Sequence, residues 1–141
     1  MNKKGPILVI DDDRDDRDIM AEVFKKLNYP NKVLYFANGD EAHQYLLATD
    51  ELSFMILSDV NMPKMSGLEL RAAIQANPSL KMKSIPFIFF TTATTKKAVI
   101  EAYELSVQGL FIKPSSFRDL ENLLQKIIDY WRDCKAPADF P

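Results

Sequence analysis

The chain is expected to fold as an α/β domain with a parallel sheet covered by helices on both faces, and three observations lead there. Five short, almost wholly apolar runs recur along the sequence, stretches of helical periodicity lie between them, and the connections are short. Strands buried on both faces read as continuous apolar runs, because neither face meets water.

The elements follow in order. Ile7 to Ile10 is the first strand. Beyond it Ile19, Met20, Val23, Phe24 and Leu27 make one stripe of a helix, which Asn28, Tyr29 and Pro30 end. Val33 to Phe36 is the second strand and Asp40 to Ala48 the second helix. Phe54 to Leu57 is the third strand. A third helix runs from Ser66 to Ala76, where Asn77 and Pro78 stop it, since proline disfavours a helical residue before it. Phe87 to Phe90 and Leu110 to Ile112 are the last strands, and a fourth helix over Lys96 to Leu105 separates them. Leu120, Leu123, Leu124, Ile127, Ile128 and Trp131 form the stripe of the fifth helix, with Ser116 and Asp119 placed as a capping box. Strict alternation of five strands and five helices predicts a three-layer, doubly wound sheet. Residues 1–141 are expected to form one domain, with a core over about 6–130 and a frayed tail over 134–141. No output domain is expected.

With 141 residues, 47% of them hydrophobic, one core is affordable. A net charge of -2 lacks the basic excess that draws proteins to phosphate backbones, so no nucleic-acid partner is expected. No apolar run approaches the roughly 20 residues that span a bilayer, and the short apolar run at residues 7–10 is no signal peptide. No membrane partner is expected, and the cytoplasm is the expected location. The single cysteine, Cys134, has no partner for an internal disulfide, and it reads as an ordinary tail residue.

The chemistry gathers at the strand ends. In an open α/β sheet, ligands bind beyond the carboxyl ends of the strands. The first strand runs into Asp11, Asp12 and Asp13, the third through Ser58 into Asp59, the fourth into Thr91 and Thr92, and the fifth into Lys113 and Pro114. Parallel strands bring these groups to one edge. Carboxylates packed together repel unless a cation lies among them, and oxygen ligands without His or Cys select a hard ion, Mg²⁺ rather than zinc. Mg²⁺ would leave Asp59 ionised, a nucleophile toward phosphorus, with Lys113 and Thr91 offering charge and a hydroxyl to the phosphoryl oxygens. Asp15, Asp16 and Asp18 read as solvated carboxylates of a first helical turn, where they suit the helix dipole.

Ile-Leu-Val-Ile-Asp-Asp at 7–12, Ser-Asp-Val-Asn-Met-Pro-Lys-Met-Ser-Gly at 58–67, Thr-Thr-Ala at 91–93 and Lys-Pro at 113–114 together resemble the response-regulator receiver family of two-component signalling. The resemblance covers roughly Pro6 to Tyr130 and implies a flavodoxin-like five-stranded sheet of order 2-1-3-4-5. It implies Asp59 as phosphoacceptor and Asp11 and Asp12 as the pair holding Mg²⁺, Asp12 directly and Asp11 more through water. Asn61 matches the backbone carbonyl that completes the metal shell. Thr91 matches the switch hydroxyl, with Thr92 beside it, and Lys113 the phosphate-binding lysine. It further implies a cis bond before Pro114. The partners implied are a histidine kinase or histidine phosphotransfer protein, and a homodimer through the face of the fourth helix, fifth strand and fifth helix. The second strand with Asn38 and Gly39, and the Trp131 end of the last helix, are similar to single-domain receivers associated with phytochrome-type or hybrid kinases.

Two positions depart from the pattern. Leu110 stands where the family often carries the switch aromatic, and the neighbouring Phe111 points to the opposite face of the strand. An output route through the loop after the fourth strand and the packing of Leu110 is therefore expected. Ser115 follows Pro114 where many members carry Phe, and Phe117 is expected to supply that packing.

Rival readings on the same fold fare worse. A haloacid-dehalogenase-type phosphatase needs an acid two residues past its nucleophile, where Asn61 exchanges no proton, so no enzymatic turnover is expected. A flavin or nucleotide carrier needs a phosphate loop after the first strand, where three aspartates repel phosphate. An unphosphorylated pseudo-receiver would have lost part of the Asp11, Asp12, Asp59, Thr91 and Lys113 set. His43, the only histidine, reads as a surface helix residue.

Overall fold

The computed structural model describes residues 1–141. Five strands, β1 (Ile7–Ile10), β2 (Val33–Phe36), β3 (Met55–Ser58), β4 (Phe87–Thr91) and β5 (Gly109–Ile112), form one sheet of order β2-β1-β3-β4-β5. Every pairing is parallel, with Ile7 opposite both Val33 and Met55, and Thr91 opposite Ile112. The helices are α1 (Arg14–Leu27), α2 (Gly39–Ala48), α3 (Gly67–Ala76), α4 (Pro78–Met82), α5 (Lys96–Glu104) and α6 (Phe117–Asp133).

Strand alternation divides the interior into two cores. Ile7 and Val9 of β1, Met55 and Leu57 of β3, and Ile88 and Phe90 of β4 face α1 and α6 through Met20, Val23, Phe24, Leu124, Ile127 and Ile128. Leu8, Ile10, Ile56, Phe87 and Phe89 face the other way, toward Ala42 and Leu46 of α2, Leu70 and Ile74 of α3, and Ala102 of α5. Both faces of the central strands are dry, as the continuous apolar runs require.

Local chemistry sets the helix ends. Asp13 caps α1, its side chain accepting from the amides of Asp15 and Asp16, and Asn28 closes the helix in the left-handed region at φ 55. Ser66 and Glu69 form a full capping box on α3. Ser116 accepts from the Asp119 amide at 3.1 Å to start α6. The short α4 is a difference from the five-helix expectation: Asn77 ends α3 but also caps a new turn, with Pro78 at its first position, where a missing N–H costs nothing. The face expected from the fourth helix, fifth strand and fifth helix is thus α5, β5 and α6.

The tail is not frayed. Beyond α6 the chain folds back, burying Ala136 in the α1/α6 core at 3% exposure, and Asp139 pairs with Lys3 at 3.2 Å. Pro137 opens a single 3₁₀ turn over Pro137–Asp139 in this return. No helix is long and apolar enough to cross a membrane.

Candidate functional site

The β1 and β3 ends deliver Asp11 and Asp59 side by side, because Ile10 is registered with Ser58 and the Asp59 amide donates to Ile10 O at 2.8 Å. Carboxylate oxygens of Asp11, Asp12 and Asp59 lie within 4.8 Å of one another. Asp11 is buried, Asp59 half-buried and Asp12 exposed, so the cluster opens outward through Asp12. Asp11 is fixed on its own loop by accepting from the Asp13 amide at 2.9 Å, while Arg17 clamps the Asp11 carbonyl at 2.6 Å.

Asp59 is equally constrained. Its Oδ1 accepts from the Val60 amide at 2.7 Å, and Ser58 Oγ donates to its carbonyl at 2.8 Å. Gly67 opens α3 directly against that carbonyl: a Cβ there would stand 2.1 Å from Asp59 O and 2.6 Å from the Phe89 ring. The glycine is required by this close approach.

Lys113 completes the centre. Its Nζ donates to Asp11 Oδ2 and to Asp16 Oδ2, the latter at 3.1 Å, and lies 3.8 Å from Asp59 Oδ2. Burial works against the ammonium charge, but the bond to Asp11, the fields of Asp11 and Asp59 and the bond to Asp16 outweigh it, so the Lys113 pKa is raised. Burial pushes the Asp11 carboxyl up, opposed chiefly by its bond to Lys113.

Thr91 is buried at the end of β4, where its hydroxyl donates to Ala93 O at 3.0 Å within the β4–α5 loop. Its carbonyl accepts from the Lys113 amide at 2.7 Å, tying the fourth and fifth strand ends together. Thr92 is exposed and lines a cleft with Asp16, Lys113 and Pro114. Asn61 is exposed on the loop between β3 and α3. Leu110 packs into the core facing α2, α3 and α5, and Phe111 into the opposite one, its ring 6.0 Å from that of Phe90.

Two expectations are corrected. The bond before Pro114 is trans, as are all peptide bonds in the chain. The trans form is the intrinsically preferred one, and the Lys113 amide and ammonium both reach their partners with it. Phe117 does not fill the interior: it is 38% exposed, on the same cleft as Lys113, with Lys26 Nζ 5.7 Å from its ring. Phe117 is the first residue of α6, at the rim of the core, and Leu120, one turn further along, is the first residue of the helix to be buried.

Asp16 is the residue the sequence reading missed. Its place in the first turn of α1 matches a dipole-stabilising carboxylate, and its contact with Lys113 spans 97 residues of chain.

The fit of a cation rests on the donor set itself. The carboxylate oxygens of Asp11, Asp59 and Asp16 face one ammonium while Asp12 adds a further carboxylate beside Asp11 and Asp59, and hard oxygen donors with excess negative charge suit Mg²⁺ or a similar divalent ion.

The fold and this acidic edge define a receiver-type domain, and comparison with known proteins agrees. Residues 7–125 match the family model described as the response regulator receiver domain, and the chain belongs to that family, the receivers of two-component signalling. It is 32% identical over 135 residues to the response regulator Rcp1 of Synechocystis sp., covering 92% of this chain and 90% of that one. It is 33% identical over 122 residues to the chemotaxis protein CheY1 of Helicobacter pylori, covering 86% and 95%. The phosphorylated cyanobacterial phytochrome response regulator RcpA superposes with a TM-score of 0.83 at 26% identity, covering 94% of this chain and 97% of RcpA. The Mn²⁺-bound form of Rcp1 superposes at 0.79 and 29% identity, covering 93% and 96%.

Proposed function

We propose that the chain accepts a phosphoryl group on Asp59 from a histidine kinase or histidine phosphotransfer protein and signals by contacts that depend on that modification. The observation that carries this reading is the convergence of Asp11, Asp12 and Lys113 on Asp59. Asp59 Oδ1 is occupied by the Val60 amide, which leaves Oδ2 as the attacking oxygen. It bonds to phosphorus as the P–N bond of the phosphohistidine breaks, and the departing imidazole nitrogen keeps the electron pair and takes up a proton. Lys113, near Oδ2, then pairs with the phosphoryl oxygens.

Asp11, Asp12 and Asp59, with the Asn61 carbonyl, would hold Mg²⁺, which supplies positive charge toward the transferred group. Asn61 cannot serve as a general acid or base, so turnover as a phosphatase is slow and the chain acts as a switch rather than an enzyme. Thr91 gives up its bond to Ala93 O in favour of a phosphoryl oxygen, releasing the β4–α5 loop, and Thr92 moves with it. Leu110 on β5 repacks against that loop in place of an aromatic rotamer change. The α5, β5 and α6 face is where such a change reaches a partner, a second copy of the chain included. Similarity to RcpA, a phytochrome response regulator, supports a phytochrome-type kinase as the donor.

Incubation with acetyl phosphate and Mg²⁺ tests the reading by intact mass: one added phosphoryl group, absent in Asp59→Asn. No gain in the wild type leaves the chain a binding module that is not phosphorylated.

A further inference from the structure

The molecule has a second polar centre at the opposite edge of the sheet. A cavity of about 390 Å³ lies there, walled by the end of α3, the α4 loop approaching β4, the turn before β5, and the returning tail. Pro86 and Gln108 on its wall precede β4 and β5, whereas Asp59 follows β3. A parallel sheet thus separates the two sites by a strand length, roughly 13 Å or more for four residues. The volume falls within the range of small-molecule sites, roughly 300 to 1,000 Å³.

Its charge is one-sided. Arg71, Lys81 and Lys135 line it, no carboxylate does, and none of the three takes part in an ion pair. The carboxylate whose field reaches Lys135, that of Asp139, is already bound to Lys3.

Arg71 is the central observation. It is 6% exposed, and a guanidinium so buried is ordinarily matched by an anion. Here Nε donates to Leu105 O at 2.9 Å and Nη2 to Ser106 O at 2.8 Å, carbonyls at the end of α5, and the guanidinium carbon lies 5.5 Å from the Phe87 ring centre. Capping the end of α5 explains those two nitrogens, since cations suit a helix C-terminus. It leaves Nη1 without a protein partner, and it leaves the two lysines unexplained. Beside the cations stand apolar surfaces from Ile74, Leu80, Ile85 and Trp131.

We propose that this cavity binds a small organic anion, its carboxylate or phosphate held by Arg71, Lys81 and Lys135 and its apolar body against Trp131. Binding there would fix the end of α3, whose first residue abuts Asp59, to the end of α5 and to the tail.

Trp131 is the only tryptophan in the chain, so its fluorescence reports on the cavity directly. The full chain is titrated with adenosine monophosphate, benzoate, inorganic phosphate and adenosine. The expected result is a saturable change with adenosine monophosphate, with benzoate, or with both, which separates phosphate from carboxylate recognition, and weaker responses to adenosine and inorganic phosphate. Both lysines are exposed, so the Lys81→Gln/Lys135→Gln variant should unfold at the wild-type temperature yet bind at least about tenfold more weakly. Asp59→Asn should bind as wild type does. Saturation by neither organic anion, equal binding of adenosine, undiminished binding by the double lysine variant, or loss in Asp59→Asn would each overturn the proposal.

Discussion

Lys113 shares its ammonium between Asp11 and Asp16, reaching Asp16 Oδ2 at 3.1 Å while standing 3.8 Å from Asp59 Oδ2. The lysine that would hold a phosphoryl group is therefore engaged by carboxylates of β1 and α1 before any group arrives. Asp16 is partly exposed, so its hold is screened and modest, worth about 0.5 to 1 kcal/mol. Asp16→Asn should free Lys113 for the phosphoryl oxygens and raise the phosphorylated fraction in acetyl phosphate by about threefold, read by intact mass. A fraction equal to or below wild type would show that Asp16 positions Lys113 rather than competing for it.

Mg²⁺ should stabilise the fold through the acidic cluster. At about 100 times its dissociation constant the gain is about 2.7 kcal/mol, seen as a rise in Tm that EDTA reverses. Asp12→Asn removes the exposed carboxylate of the cluster and should abolish most of that rise while leaving the metal-free Tm near wild type.

Gly67→Ala forces α3 away from Asp59 O and Phe89, and overpacking of this kind costs about 2 to 3 kcal/mol. The midpoint of urea unfolding should fall accordingly. At Gly109 an added Cβ meets only the Phe111 ring, at 3.2 Å, so Gly109→Ala should shift the midpoint far less.

Tyr29 donates to Asp129 Oδ1 at 2.8 Å, joining the end of α1 to α6. Burial, then the bond to Asp129 and its charge, hold the phenol un-ionised and push its pKa up to about 12. The fold favours neutral Tyr29, so this stabilisation is complete below the ordinary value of 10.0 and is lost as pH rises through about 12. Absorbance titration should show Tyr29 ionising near 12, and earlier in Asp129→Asn. An unchanged titration in that variant would assign the shift to burial alone.

Removing residues 134–141 should lower Tm by about 3 to 6 °C, the equivalent of about 1 to 2 kcal/mol, because Ala136 leaves the core and Asp139 leaves Lys3. A truly frayed tail would leave Tm unchanged.

The fold and the acidic edge were legible in the sequence because both are local in origin. Phe87 to Phe90 is wholly apolar wherever it sits, so it reads as a strand buried on both faces; Asp11 and Lys113 follow directly on such apolar runs, and Asp59 follows another after Ser58. Parallel pairing then brings strand ends to one edge without further information. Asn77 was ambiguous for a physical reason: the same Asn-Pro pair that ends α3 also caps and starts α4.

What the tertiary structure decided were contacts between parts of the chain far apart. Asp16 meets Lys113 across 97 residues, Ala136 enters the core beside Met1, and Arg71 bonds carbonyls 34 and 35 residues away. Local composition makes each of these look like surface: an acid in a first helical turn, an alanine between a lysine and a proline, a cation on a helix. Only the packing of α1, α3, α6 and the tail around the sheet determines which polar groups lose their water and must find partners. The sequence by itself thus determined the edge where Asp59 and its acidic neighbours gather. The folded molecule decided how Lys113 is held there, and what stands at the opposite edge.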